Sequence, residues 1–297
     1  MNSRKFCVML ALVTSTLQAE LVVVGSLGGG LGNQMFISAA TYAYALDIGA
    51  EAYFPYTDLA HVGVSPVLAR LRRCEGTLNL PWIWETGHHW IDLPRNNLQS
   101  VVLAGYYQSA RYFHHRRNEI LELFAPTEEV AGYIKQKYSD ILSHNTVAVH
   151  VRRGDYLHWK GDNGKTIMYN LSEDEEYYQK ALQHFDCEND YFIFFSDDVD
   201  FVKSMDIVHK LKHYYIVERQ EHWEDFYLMT FCKHHIIANS TFSWWGAYLC
   251  ENPSQKVVFP WRWFGPGISD GYCSEGVVDK YFKAPSYMPM DHWIKID

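Results

Sequence analysis

Short apolar runs and stretches with helical spacing take turns along the second half of this chain. The runs are Thr146–Val151, Tyr191–Phe195, Tyr214–Val217, His235–Ala238 and Lys256–Phe259. Helical spacing lies between most of them, near Asp174–Phe185, Glu221–Cys232 and Phe242–Cys250. Short runs without alternation predict strands buried on both faces. Strands that take turns with helices predict a parallel sheet with right-handed crossovers. The first half starts in the same way. Leu21–Val24 is a β-branched run, and a glycine-rich stretch follows it. Asn33–Ile48 then carries Met35, Ala39, Tyr42, Ala43 and Leu46 at helical spacing, with Gly49 as the stop. Glu51–Phe54 predicts the next strand. From Pro55 to Asn97 the pattern dissolves among Pro66, Pro81, Pro94, Trp82, Trp84 and Trp90. It returns as an extended run at Val101–Tyr107 and a helical one at Ala110–Phe124. Pro126 opens a further helix reaching about Leu142.

This rhythm predicts an α/β protein in two halves, residues 20–125 and 146–297, joined by a helical bridge at 126–145. Residues 1–19 read differently. Arg4 and Lys5 precede the apolar stretch Phe6–Val13, and Leu17-Gln18-Ala19 ends on a small residue. The apolar stretch is too short to span a bilayer, so it predicts a signal peptide or a short membrane anchor. Export, an uncleaved anchor and a misplaced start all remain open.

Composition narrows the chemistry. With 297 residues, 48% hydrophobic and 21% charged, the chain can build one large or two modest domains. A net charge of −9 excludes general nucleic-acid binding, which needs a basic surface. Aromatics make up 16% of residues. Most belong in the core, and some suit the apolar faces of sugar rings. The six cysteines (Cys7, Cys74, Cys187, Cys232, Cys250 and Cys273) form no CxxC pair, so a zinc site is not expected.

Three polar patches suit one ligand, a diphosphate. Gly28 to Gln34 reads GGGLGNQ, and glycines let backbone N–H groups approach a ligand. The spacing is not GxGxxG, which argues against a nicotinamide dinucleotide. His150 to Tyr156 reads HVRRGDY at a strand end, and arginines clamp phosphate oxygens. Alternation sends Arg152 and Arg153 to opposite sides, one to a cleft and the other to a structural carboxylate such as Asp155. Asn239 to Trp245 reads NSTFSWW and opens a helix, whose N-terminus attracts anions. Asn239-Ser240-Thr241 spells a glycosylation sequon, a poor reading in a packed strand-to-helix turn. Asp198-Val199-Asp200 spells the Asp-x-Asp of metal-dependent transferases. Asp197 and Asp198 also suit hydrogen bonds to a nucleoside, or a helix cap. Trp244 and Trp245 read as packing residues. In parallel sheets ligands bind at the carboxyl ends of strands, where Arg152-Arg153, Asp197-Asp198 and Asn239-Ser240-Thr241 all fall.

Gly29–Phe36 (GGLGNQMF), His150–Tyr156, Phe195–Asp198 (FSDD) and Asn239–Leu249 (NSTFSWWGAYL), in that order, resemble the GDP-fucose-dependent α-1,2-fucosyltransferases, glycosyltransferase family 11. The resemblance runs from about Leu21 to about Trp261. It implies a GT-B arrangement, two facing Rossmann-like domains with a cleft between them. It further implies inverting transfer of L-fucose from GDP-β-L-fucose to the 2-hydroxyl of a galactose-terminated glycan or lipopolysaccharide-type acceptor. Arginine rather than a metal would offset the diphosphate charge, so no cofactor is implied. Arg152 would serve catalysis, with His150, Arg153, Asp197, Asp198, Asn239, Ser240, Thr241 and Ser243 on the donor. Gly29, Gly30, Gly32 and Gln34 would face the acceptor. Asn33 matches an asparagine near the reacting centre of protein O-fucosyltransferases and is expected across the cleft from the donor patches. The base is open among Asp155, His158 and Glu85. Another linkage, a non-catalytic carbohydrate-binding protein and a nucleotide-sugar hydrolase also remain open.

Overall fold

The computed structural model describes residues 21–55, 65–75, 79–85, 90–96, 99–172, 175–218, 220–265, 290 and 292–296. The N-terminal segment 1–19, Cys7 and Cys273 lie outside them. In chain order the first half holds β1 (Val22–Gly25), α1 (Leu31–Ile48), β2 (Glu51–Pro55), β3 (Arg73–Cys74), β4 (Trp82–Trp84), β5 (Val101–Ala104) and α2 (Arg117–Phe124). α3 (Glu128–Lys137) and α4 (Ser139–Leu142) follow. The second half holds β6 (Thr146–Val151), α5 (Glu176–Leu182), β7 (Tyr191–Ser196), α6 (Val199–Ser204), α7 (Asp206–His209), β8 (Tyr214–Ile216), α8 (His222–Phe231), β9 (His234–Ile236), α9 (Thr241–Tyr248), β10 (Val257–Pro260) and β11 (Ile294–Ile296).

Two sheets form, ordered β3-β2-β1-β5-β4 and β11-β10-β9-β6-β7-β8. Every ladder among the described residues is parallel. All strands of a sheet therefore end at one edge. The central β6 is buried along its whole length, as its continuous apolar run required. The sequence reading missed β3, β4 and β11, which are two or three residues long and do not alternate with helical stretches as the equally short β8 and β9 do.

Three expectations needed correction. The predicted helix Ala110–Phe124 is two short 3-10 turns, Ala110–Tyr112 and His114–Arg116, followed by α2. The helix expected from Pro126 starts at Glu128, because Thr127 caps it by accepting from the Val130 N–H. α1 starts two residues earlier than expected and is buried nearly all round instead of along one stripe. Its small residues, Ser38, Ala39, Ala40, Thr41 and Ala43, let it lie close to β1 and β2 on one side and α9 on the other.

That contact joins the halves. Phe36 of α1 packs 4.6 Å from Trp244 and 5.0 Å from Trp245, ring centre to ring centre. Phe113 stacks on Trp245 at 5.2 Å, and Phe124 meets the same ring at 5.2 Å. Such aromatic pairs each contribute about 0.5–1.5 kcal/mol beyond the area they bury. The Trp245 indole N–H donates to the Gly32 carbonyl at 3.1 Å. The N-termini of α1 and α9 are thereby held side by side.

Candidate active site

Between the halves lies a cleft of about 620 Å³. Gly30, Leu31, Gly32 and Asn33 line it from the first turn of α1 and the loop before it. Asn239, Ser240, Thr241 and Phe242 line it from the start of α9. Neither helix has a side-chain cap: Gly30 has no side chain to offer, and Ser240 makes no capping bond. The first backbone N–H groups of a helix have no partner within it, and they carry the positive end of its dipole. Two such ends facing one cleft favour an anion there.

Gly32 makes the convergence possible. A Cβ at this position would stand 2.6 Å from the Phe242 nitrogen and 2.6 Å from the Thr241 carbonyl carbon. Both are backbone atoms and cannot swing aside. Next to it, the Asn33 carbonyl oxygen Oδ1 accepts from Thr241 Oγ1 at 2.9 Å and from Gln108 Nε2 at 2.9 Å. With Oδ1 doubly engaged, the donor Nδ2 lies over Gly29. Asn33 is therefore not across the cleft from the helix-opening patch, as the sequence reading expected. It is bonded to that patch, because α1 and α9 meet at their ends.

From β6, Arg152 enters the cleft and ion-pairs with both Asp155 and Asp197. Its guanidinium also sits 5.0 Å from the centre of the Tyr156 ring. Gly154 packs against the Asp197 carboxylate, and a Cβ there would collide with it. Arg153 turns the other way, as strand alternation requires. Its carboxylate partner is Asp198, at 2.9 Å, not Asp155. It also donates to Ser172 Oγ at 2.8 Å and covers the Phe201 ring at 3.7 Å. Asp198 additionally caps α6 by accepting from the Phe201 N–H at 3.0 Å. Arg153 and Asp198 thus stand outside the cleft lining. So do three other expected contacts. Ser243 is fully buried with its hydroxyl on the Ser240 carbonyl. Gln34 turns back to donate to the Gly29 carbonyl at 2.9 Å, and Gly29 itself lies behind Asn33.

Two buried polar groups on the lining have an atom without a partner among the described residues. Burial, with a smaller push from Arg152, holds the His150 imidazole down at a pKa of about 3, so it is neutral near pH 7, and its Nδ1 is unpaired. Asn239 gives its Nδ2 to the carbonyls of Tyr169 (3.0 Å) and Trp263 (2.7 Å) and keeps Oδ1 unpaired. At 1% exposure its amide is no glycosylation acceptor. An unpaired buried polar atom costs about 1–3 kcal/mol, which a ligand hydrogen bond would recover. Among the described residues, no cluster of three His, Cys, Asp or Glu is arranged to hold a metal ion. No described helix is long and apolar enough to cross a membrane.

Of the base candidates, Asp155 lines the cleft, whereas His158 and Glu85 do not. Glu85 is held by the Tyr107 N–H at 2.5 Å and the Tyr112 hydroxyl at 2.9 Å, and burial raises its pKa to about 7. The sequence reading missed Gln108, His222 and Asp225. The last two face the cleft from the first turn of α8, and His-x-x-Asp is the helical spacing that marks them as neighbours. Burial lifts Asp225 to a pKa of about 6, although it accepts from Gln220 Nε2 at 2.5 Å. The fold thus penalises its ionised form. The penalty is absent below about pH 4, grows as pH rises towards 6 and is full above that. Asp225→Asn should therefore raise the urea midpoint at pH of about 7.5 and leave it nearly unchanged at pH of about 4. Equal shifts at both values would refute this origin.

Two facing parallel sheets with this cleft between them define a GT-B glycosyltransferase. The same fold occurs in the fucosyltransferase NodZ from Bradyrhizobium, with a TM-score of 0.52, 14% identity and coverage of 76% of this chain and 92% of that one. NodZ α-1,6-fucosyltransferase soaked with GDP-fucose superposes with a TM-score of 0.53 at 14% identity, over 77% of this chain and 92% of that one. The glycosyl transferase family 11 profile matches residues 3–262, and the chain belongs to that family, the one its motifs resemble. Among its relatives is an alpha-1,2-colitosyltransferase of Escherichia coli, 28% identical over 274 residues, which are 82% of this chain and 92% of that protein. The human galactoside alpha-(1,2)-fucosyltransferase 1 is 28% identical over 240 residues, 74% of this chain and 63% of that protein.

Proposed function

We propose that this protein moves L-fucose from GDP-β-L-fucose to the 2-hydroxyl of a terminal galactoside, with inversion and without a metal. One observation carries the reading: two uncapped helix N-termini and Arg152 face the same cleft. A diphosphate needs this kind of positive surface, and a lectin does not. Family membership and the α-1,2-transferase relatives support the linkage, and the NodZ structure soaked with GDP-fucose supports the donor.

The pyrophosphate lies against the first N–H groups of α9, with the Ser240 and Thr241 hydroxyls beside it. Arg152 takes the phosphate that leaves. Negative charge grows there as the sugar–oxygen bond breaks, so these contacts strengthen towards the transition state and speed the reaction. Neutral His150 and the unpaired Asn239 Oδ1 offer uncharged hydrogen bonds to the rest of the donor. Asn33 stands on the α1 side of the donor, its Oδ1 held by Thr241 and Gln108. Asp155 is paired to Arg152 when no ligand is bound, and the diphosphate competes with it for the guanidinium. Displaced, Asp155 is available to take the proton of the attacking hydroxyl.

The test is GDP-fucose with a panel of β-galactosides, with the product linkage read by NMR. Excess EDTA is expected to change the rate by less than about twofold, far below the contribution of a catalytic metal. Loss of activity restored by manganese would overturn the metal-free reading, and a linkage other than α-1,2 would overturn the acceptor assignment. The colitosyltransferase likeness favours running a colitosyl donor alongside. Hydrolysis of donor without transfer would point to a hydrolase.

A further inference from the structure

Trp82 and Trp84 sit two residues apart on β4, so both side chains leave the same face of the strand. Their rings are 5.2 Å apart and within 16° of parallel. Trp82 is 41% and Trp84 62% exposed, while Ile83 between them packs against the core. Exposing two stacked indoles is costly, since each leaves a large apolar face in water. The pair lies near the cleft, although neither ring lines it. Trp84 is level with Ala104, the last residue of β5, and two residues further on the exposed Tyr106 joins the cleft wall. β5 neighbours β1, which leads through Gly30 into the first turn of α1 and Asn33. With strands about 4.8 Å apart, Trp84 stands roughly 10 Å to the side of β1, at the same edge of the sheet.

We propose that Trp82, Trp84 and Tyr106 form a stacking platform for the acceptor sugars that lie beyond its terminal galactose. The inference rests on the fucosyl-transfer reading above and adds a subsite to it. A pyranose ring has a face of C–H groups and a rim of hydroxyls. The C–H face suits flat, electron-rich indole rings, and the hydroxyls stay in water. An acceptor whose terminal galactose reaches Asn33 must lead its remaining sugars out over the cleft rim. The platform lies on that rim. An anionic membrane is a poorer occupant, because the chain carries a net charge of −9.

The experiment compares methyl β-galactoside with a galactose-terminated tetrasaccharide as acceptors, using the full chain. Trp84→Ala should raise KM for the tetrasaccharide about three- to tenfold, the range expected for one aromatic contact. KM for the monosaccharide, GDP affinity and the melting temperature should stay unchanged, and Trp84→Phe should restore most of the loss. An equal effect on both acceptors, or on neither, would overturn the platform. So would Trp84-dependent sedimentation with anionic vesicles. If the wild type fucosylates neither sugar, the fucosyl-transfer reading fails separately. Saturation-transfer NMR of the tetrasaccharide then still decides the subsite. Signals from the inner sugars that vanish in Trp84→Ala support it, and signals that persist refute it. Should Trp84→Ala not fold, Trp82→Ala takes its place in the same measurements.

Discussion

Arg152→Ala is expected to lower kcat for transfer by roughly two to three orders of magnitude, the usual cost of removing one donor that stabilises developing charge. Arg152 is the arginine that enters the cleft from β6, and Arg153 is committed to Asp198 and Ser172. Arg153→Ala should therefore act through stability rather than through GDP affinity. Arg152→Lys should stay poor, because a single ammonium cannot reproduce the planar fork that grips two oxygens at once. The decisive measurement is single-turnover transfer alongside calorimetry of GDP binding. A variant keeping more than about a tenth of wild-type activity, a loss under about 1.4 kcal/mol, would remove Arg152 from the catalytic role.

Gly32→Ala should be nearly as damaging for a different reason. The added methyl would press on the Thr241 and Phe242 backbone at 2.6 Å, so α1 and α9 must separate. Overpacking of this kind costs about 1–3 kcal/mol of stability. The larger effect falls on catalysis, since a shift of about 1 Å in a positioned group can cost on the order of a hundredfold. Gly30→Ala is the control. Gly30 has an ordinary φ of −71° and open space where its Cβ would go. It should fold and turn over almost normally. If Gly30→Ala and Gly32→Ala behaved alike, the close approach of the two helices would not be the reason for a glycine at position 32.

The two positions also show how far the residues alone can be read. All three polar patches were visible as motifs, because each sits where a strand ends and the local pattern marks that end. The parallel second sheet was legible for the same reason. Its inner strands β6, β9 and β10 are fully buried, and such burial leaves short runs without alternation. The stretch after Pro55 was not legible, because β3 and β4 are short and no helix of the alternating pattern flanks them. α1 was read as amphipathic, since spacing reports that a face is buried but not that a second layer covers the other side.

Local chemistry in the sequence thus determined the elements, the diphosphate-type patches and the family. What each patch touches was decided by contacts between residues far apart in the chain. Strand alternation said that Arg152 and Arg153 diverge, but only packing against β7 and α6 assigned Asp197 to one and Asp198 to the other. Asn33 and Thr241 are 208 positions apart, and nothing local predicts that Thr241 donates to the Asn33 amide. That bond exists because the aromatic cluster of Phe36, Phe113, Trp244 and Trp245 draws α1 onto α9, and because Gly32 leaves room for the backbones to meet. Tertiary packing, not sequence pattern, brings two uncapped helix ends to one cleft.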